Sequence, residues 1–149
     1  MSFRDTASFG KRIEYSLIGE MLKEGLDVYT PMVDDMGIDA VIRRKDGTFI
    51  EVQIKARSDN TRFGDSGLFT VNKHENFRKN YFFVFYSTRL NTKWILNSDE
   101  FVKESLLVNN GKNKGMRQIW FTGKNTKEKK EFTKPKFEKY IAHNFERLG

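Results

Sequence analysis

Apolar residues recur along this chain with two different periods. From about Ala7 to Glu24, Ile13, Leu17, Ile18, Met21 and Leu22 stand three and four apart, the spacing of one helix face, and Gly25 is placed to end that helix. Leu26 to Thr30 reads as a short strand stopped by Pro31. Two β-branched runs follow, Ile38 to Ile42 and Phe49 to Ile54, on either side of Lys45-Asp46-Gly47-Thr48, which predicts an antiparallel hairpin. In its second strand the period is two. Ile50, Val52 and Ile54 point to one face while Glu51, Gln53 and Lys55 point to the other.

Farther along, Ser58 to Gly67 is polar and contains glycine, so a mobile loop is expected beside the hairpin. Val33 to Gly37, with Asp34 and Asp35, is expected as the loop before the hairpin, and residues Asn72 to Lys79, with His74 and Glu75, as a short helix. Tyr81 to Tyr86 is apolar throughout and predicts a strand buried on both faces. Thr92 to Leu96 reads as another strand, Ser98-Asp99-Glu100 as the cap and first turn of a helix to about Val108, and Arg117 to Thr122 as one more strand. A closing helix from about Pro135 to Leu148 would align Phe137, Tyr140, Ile141 and Phe145 on one stripe. Nothing repeats internally.

A chain of 149 residues with 38% hydrophobic content and 14 Phe suits one domain, residues 1–149, with a packed core. It has no Cys, which removes disulfides and thiolate metal sites, and its two His residues are not at zinc-ligand spacing. No apolar run approaches a membrane span of ~20 residues and no leader is evident, so a soluble, cytoplasmic protein without membrane contact is expected. Charge is uneven. Residues 1–75 hold 11 Lys or Arg against 13 Asp or Glu, net −2, whereas residues 76–149 hold 16 against 7, net +9. A field of that shape attracts polyanions, nucleic acid first, although a basic surface also serves solubility.

The acidic half carries the candidate chemistry. On a wheel of ~100° per residue Glu14 falls in the middle of the apolar stripe of the first helix, where a carboxylate needs a partner: a metal, a Lys, a buried Arg or a backbone group. Asp39 opens the first hairpin strand, from which it approaches the row of Glu51, Gln53 and Lys55. Oxygen ligands without Cys or His favour Mg²⁺ or Mn²⁺. Such a cation polarises a phosphoryl oxygen and acidifies a bound water, and a Lys beside it orients that water or steadies negative charge on phosphate. The same row is also compatible with a solvent-facing strand holding a modest cross-strand ion pair. Arg57 and Arg62 stand near enough to touch a phosphate or to remain solvated.

Glu14, Gly25 eleven residues later, Gly37-Ile38-Asp39 opening one strand and Gln53-Ile54-Lys55 ending the next resemble the PD-(D/E)xK nuclease superfamily, which includes Holliday junction resolvases and the Mrr-like restriction nucleases. The resemblance spans about the first 60 residues and continues loosely to Tyr81. It implies an α/β fold with a restriction-endonuclease-like core: a mixed central β-sheet flanked by helices in the order αβββαβ, with extra C-terminal strands and a helix. It further implies Asp39 as a metal-binding aspartate, Gln53 and Lys55 as the D/ExK pair, and Glu14 as the helix glutamate of the resolvase-like branch. Two departures stand out. Gln53 replaces the usual acid, as in the Mrr-like QxK branch, which shifts metal binding toward Asp39, Glu14 and Glu51, and the proline expected before the aspartate is absent.

The expected function is therefore a Mg²⁺- or Mn²⁺-dependent endonuclease hydrolysing phosphodiester bonds of DNA through a metal-bound water, with RNA as a further substrate class and a homodimer as the assembly that cuts both strands. Two other readings stay open: a non-catalytic nucleic-acid-binding module on a nuclease-like fold, and a protein-interaction or inhibitor domain of a mobile element.

Overall fold

A computed structural model describes residues 3–33, 36–72, 74 and 76–149, with the side chains described from residue 8 onward. The chain runs through helix α1 (Phe3–Lys23), strands β1 (Asp27–Tyr29), β2 (Ala40–Arg43), β3 (Phe49–Arg57), β4 (Leu68–Val71), β5 (Tyr81–Ser87) and β6 (Thr92–Asn97), then helix α2 (Ser98–Glu104). Strands β7 (Leu106–Leu107), β8 (Arg117–Trp120), β9 (Thr122–Asn125), β10 (Lys130–Thr133) and β11 (Ile141–Ala142) complete it, with single 3-10 turns at Pro135–Tyr140 and Glu146–Leu148. Six strands form the central sheet in the order β1-β2-β3-β5-β6-β11. Its β3–β5 pair is parallel and its other pairs are antiparallel, so the fold is mixed α/β with a mixed sheet. A second sheet, β4-β8-β7, and a two-stranded ribbon, β9–β10, stand beside it.

Alternation in the sequence sets the two faces. Ile50, Val52 and Ile54 join Leu17, Ile18 and Met21 of α1 in one buried cluster, to which Phe82 and Val84 also belong. Tyr81, Phe83 and Phe85 point the other way, into an aromatic cluster with Phe69, Trp94, Phe101 and Phe121. β5 is therefore buried on both faces, as an unbroken apolar strand must be. Each such side chain contributes about 1.5–3 kcal/mol on burial. α1 ends with Gly25 at φ 87°, its N–H on Leu22 O and the Leu26 N–H on Met21 O, a Schellman stop. The hairpin turn is held by the Asp46 carboxylate, which accepts from both the N–H and the hydroxyl of Thr48.

Three expected elements differ. Among the described residues of 72–79 none is helical, and β3 reaches β5 through a crossover that carries β4 instead. The helix after β6 ends at Glu104, and its cap is Asn97, whose side chain and that of Glu100 close a capping box. The closing helix is replaced by a 3-10 turn, the edge strand β11 and a second turn. Phe137 and Tyr140 consequently pack in the aromatic cluster while Phe145 packs with α1, because the chain rounds the sheet edge at β11 rather than laying one stripe against it. The acidic pair Asp34 and Asp35, and Glu75, lie outside the described residues.

Candidate active site

β2 and β3 pair from Arg43↔Phe49 only as far as Ala40↔Val52, while β3 stays paired with β5 on its other edge as far as Arg57↔Ser87. Residues 53–57 have therefore lost β2 as a neighbour, and the sheet splits there. Asp39 stands in the split. Its N–H donates to Val52 O at 2.8 Å, and its Oδ2 accepts from the Ile54 N–H at 2.7 Å, which satisfies a strand donor that β2 no longer reaches.

Gln53 projects from the face opposite α1. Its amide meets the Tyr81 hydroxyl at 3.1 Å, and that hydroxyl also bonds Gly37 O. The Tyr81 hydroxyl thus faces two carbonyl oxygens, that of Gly37 and that of the Gln53 amide, and the Gln53 oxygen keeps a second lone pair as a neutral donor. Gly37 makes room for this arrangement. At φ 69° it adopts a backbone that disfavours side chains, and a Cβ there would stand 3.0 Å from Tyr81 Oη and 3.3 Å from Gln53 Oε1. Tyr81 is itself clamped, with the Arg78 guanidinium 4.0 Å above its ring and His74 stacked at 5.1 Å. Burial pushes its phenol above the usual value, so the hydroxyl stays a donor at neutral pH.

Lys55 lies two residues beyond Gln53 on the same face, about 7 Å along the strand. It lines a cavity of about 250 Å³ with Ala56, Arg57, Leu68, Phe69 and Thr70. Among the described residues that border that space, Lys55 and Arg57 are cations and none is an acid. Glu14 comes from the other side, since α1 packs on the Ile50, Val52 and Ile54 face of β3. Its side chain is 12% exposed, on the sheet-facing stripe one turn before Leu17 and Ile18, and it pairs with Lys11 at 3.4 Å. Glu51 is drawn away from the split, 3.6 Å from Arg78, which also donates to Met36 O. Tyr81 and Arg78 were not marked by any sequence signal, because one reads as the start of a buried strand and the other as a surface cation.

The loop after β3, expected to be mobile, is pinned. Arg89 donates to the carbonyls of Asp59, Thr61 and Arg62 and pairs at 2.7 Å with Glu131, whose side chain is only 4% exposed and also accepts from the Ser66 N–H and hydroxyl. Trp120 Nε1 and the Thr122 hydroxyl both donate to Gly64 O. The partners lie 27 to 65 residues away in sequence, beyond the reach of a local reading.

The fold has a counterpart among solved structures. The fold is similar to that of a bacterial homing endonuclease, I-Ssp6803I. The match covers 91% of this chain and 86% of that one, with a TM-score of 0.54 and 22% sequence identity. At that identity the likeness is one of fold: this chain has a nuclease-like α/β architecture. No protein-family model and no curated protein sequence matches it.

A divalent cation fits the donor set at the split in kind. Asp39 and the Gln53 carbonyl offer hard oxygens. Among the described residues no three His, Cys, Asp or Glu side chains gather closely enough to hold a metal by themselves. Among the described residues, too, no helix is long and apolar enough to cross a membrane.

Proposed function

We propose that this chain is a divalent-metal-dependent endonuclease that hydrolyses phosphodiester bonds of DNA. The observation that carries the reading is the placement of Asp39 and Gln53 across the split between β2 and β3, with Lys55 next along the same face beside a cation-lined cavity. The fold shared with a homing endonuclease and the net +9 charge of residues 76–149 support DNA as the substrate.

In this reading Asp39 and the Gln53 carbonyl hold Mg²⁺ or Mn²⁺, with Glu14 as a further oxygen donor from α1. The cation supplies Lewis acidity toward the phosphoryl oxygen when bound. Lys55 stands beside the scissile phosphate and steadies the negative charge that grows on it as the attacking oxygen adds. Arg57, bordering the same cavity, holds a phosphate oxygen of the strand. Tyr81 and Gly37 act at one remove, fixing the Gln53 amide through its carbonyl oxygen. Glu51 serves to fix Arg78 over Tyr81.

One observation favours a second reading. A neutral amide replaces an acid at residue 53, and the described acidic groups do not by themselves form a metal cage. A non-catalytic DNA-binding module would be built so. Calorimetric titration with Mn²⁺, followed by incubation with branched, duplex and single-stranded DNA, separates the two. Metal binding and strand cleavage support the endonuclease; salt-sensitive DNA binding with neither refutes it.

A further inference from the structure

Strands β9 and β10 form a ribbon that belongs to neither larger sheet. Residues 122–134 carry five Lys and two Glu, and Glu131 is buried against Arg89 and Ser66, so the charge that reaches solvent is strongly positive. The register Lys130↔Asn125, Glu131↔Lys124, Phe132↔Gly123 and Thr133↔Thr122 sorts the two faces. Glu131, Thr122 and Lys124 face the body of the protein. Asn125, Lys130 and Phe132 face outward, and Lys127 and Lys129 occupy the exposed tip.

The ribbon is mounted rigidly. Thr122 donates to Gly64 O and accepts from the Gly67 N–H, and the stem of Lys124 packs on Gly64, 2.8 Å from where a Cβ there would stand. Gly67 is followed directly by Leu68, a wall of the Lys55 cavity, so the ribbon base adjoins the candidate active site. Phe132, 45% exposed, gives the outward face an apolar element between its cations.

We infer that the β9–β10 ribbon is the DNA-docking element, resting on the nuclease reading above. It lies in the major groove of duplex DNA, the groove wide enough for two strands, with Asn125 and Phe132 toward the base edges and Lys127, Lys129 and Lys130 on the flanking phosphates. Charge complementarity selects this occupant, because a row of exposed lysines on a fixed arm repels a second copy of itself.

The test measures the binding of a fluorescent duplex by anisotropy over a range of KCl, in Ca²⁺ to hold back cleavage. The triple variant Lys127→Gln, Lys129→Gln, Lys130→Gln is compared with the parent and with Lys23→Gln, Lys45→Gln, Lys103→Gln, which removes equal charge elsewhere. The ribbon variant is expected to lower the slope of log K against log salt by about 2–3, with melting unchanged, while the control stays near the parent. A minor-groove drug should leave parent binding unchanged. Equal slopes for the parent and the ribbon variant, equal losses in both variants, or competition by the drug overturn the inference while leaving the nuclease reading standing. A parent that neither binds nor cuts DNA overturns both.

Discussion

Removing the Tyr81 hydroxyl tests how the Gln53 amide is held. Tyr81→Phe keeps a ring that is 1% exposed, stacked on His74 and covered by Arg78, and deletes only the group that joins Gly37 O to the Gln53 amide. The backbone carbonyl then loses its donor in a buried setting, at a cost of about 1–2 kcal/mol. For a chain of this length that lowers the melting temperature by roughly 2–8 °C, read by tryptophan fluorescence or calorimetry. Cleavage of duplex DNA in Mg²⁺ should fall by about tenfold, the equivalent of roughly 1.4 kcal/mol, because Gln53 remains present but no longer fixed. The split between parameters is informative: kcat should fall with little change in KM, since the hydroxyl touches no DNA. Unchanged melting and unchanged turnover would refute the reasoning, as would a drop in turnover that Gln53→Ala leaves intact.

Three other outcomes follow from the same geometry. Gly37→Ala should lose roughly 1–2 kcal/mol through its left-handed backbone alone, with a further loss of turnover as the new Cβ meets Tyr81 Oη and Gln53, measured by urea unfolding and cleavage rate. Arg89→Ala should cost roughly 3 kcal/mol by leaving the buried Glu131 carboxylate without its cation, held by Ser66 alone, and limited proteolysis should then cut residues 58–67 first; resistance equal to the parent would show that the loop is held otherwise. Burial, reinforced by Arg78 and Arg117, pushes His74 down from 6.5 to about 4, so the fold favours the neutral ring. Its contribution is complete above about pH 6.5 and is lost as pH falls toward 4, and His74→Gln should flatten the urea midpoint across that window.

Much of the central sheet is written in local pattern. The 3- and 4-residue spacing of Ile13, Leu17, Ile18 and Met21 makes α1, the alternation of Ile50, Val52 and Ile54 fixes which face of β3 α1 covers, and the unbroken run from Tyr81 has to be buried on both sides. The places of Glu14 on α1, of Asp39 just before β2 and of Gln53 and Lys55 on one face of β3 were legible for the same reason. What failed was non-local. Phe137, Tyr140, Ile141 and Phe145 satisfy a helical spacing, yet the chain uses them on both sides of the sheet edge, which no one-dimensional period can reveal. The ribbon at 122–133 faces solvent and lacks the apolar alternation of a core strand, so its polar Thr-Gly-Lys-Asn sequence reads as a turn. The supports of the site are equally remote in sequence: Tyr81 holds a residue 28 positions away, and Glu131 fixes a loop through Ser66, 65 positions away.

The central claim is that Asp39 and Lys55 perform metal-dependent hydrolysis, and strand scission of duplex DNA by paired variants addresses it most directly. Asp39→Asn retains an oxygen for the Ile54 N–H and removes only the charge, while Lys55→Met retains the stem and removes only the ammonium. The parent should cut in Mg²⁺ or Mn²⁺ and stop in EDTA. Both variants should fold, bind duplex DNA and leave it intact. Cleavage by the parent in EDTA, or undiminished cleavage by either variant, would contradict the account.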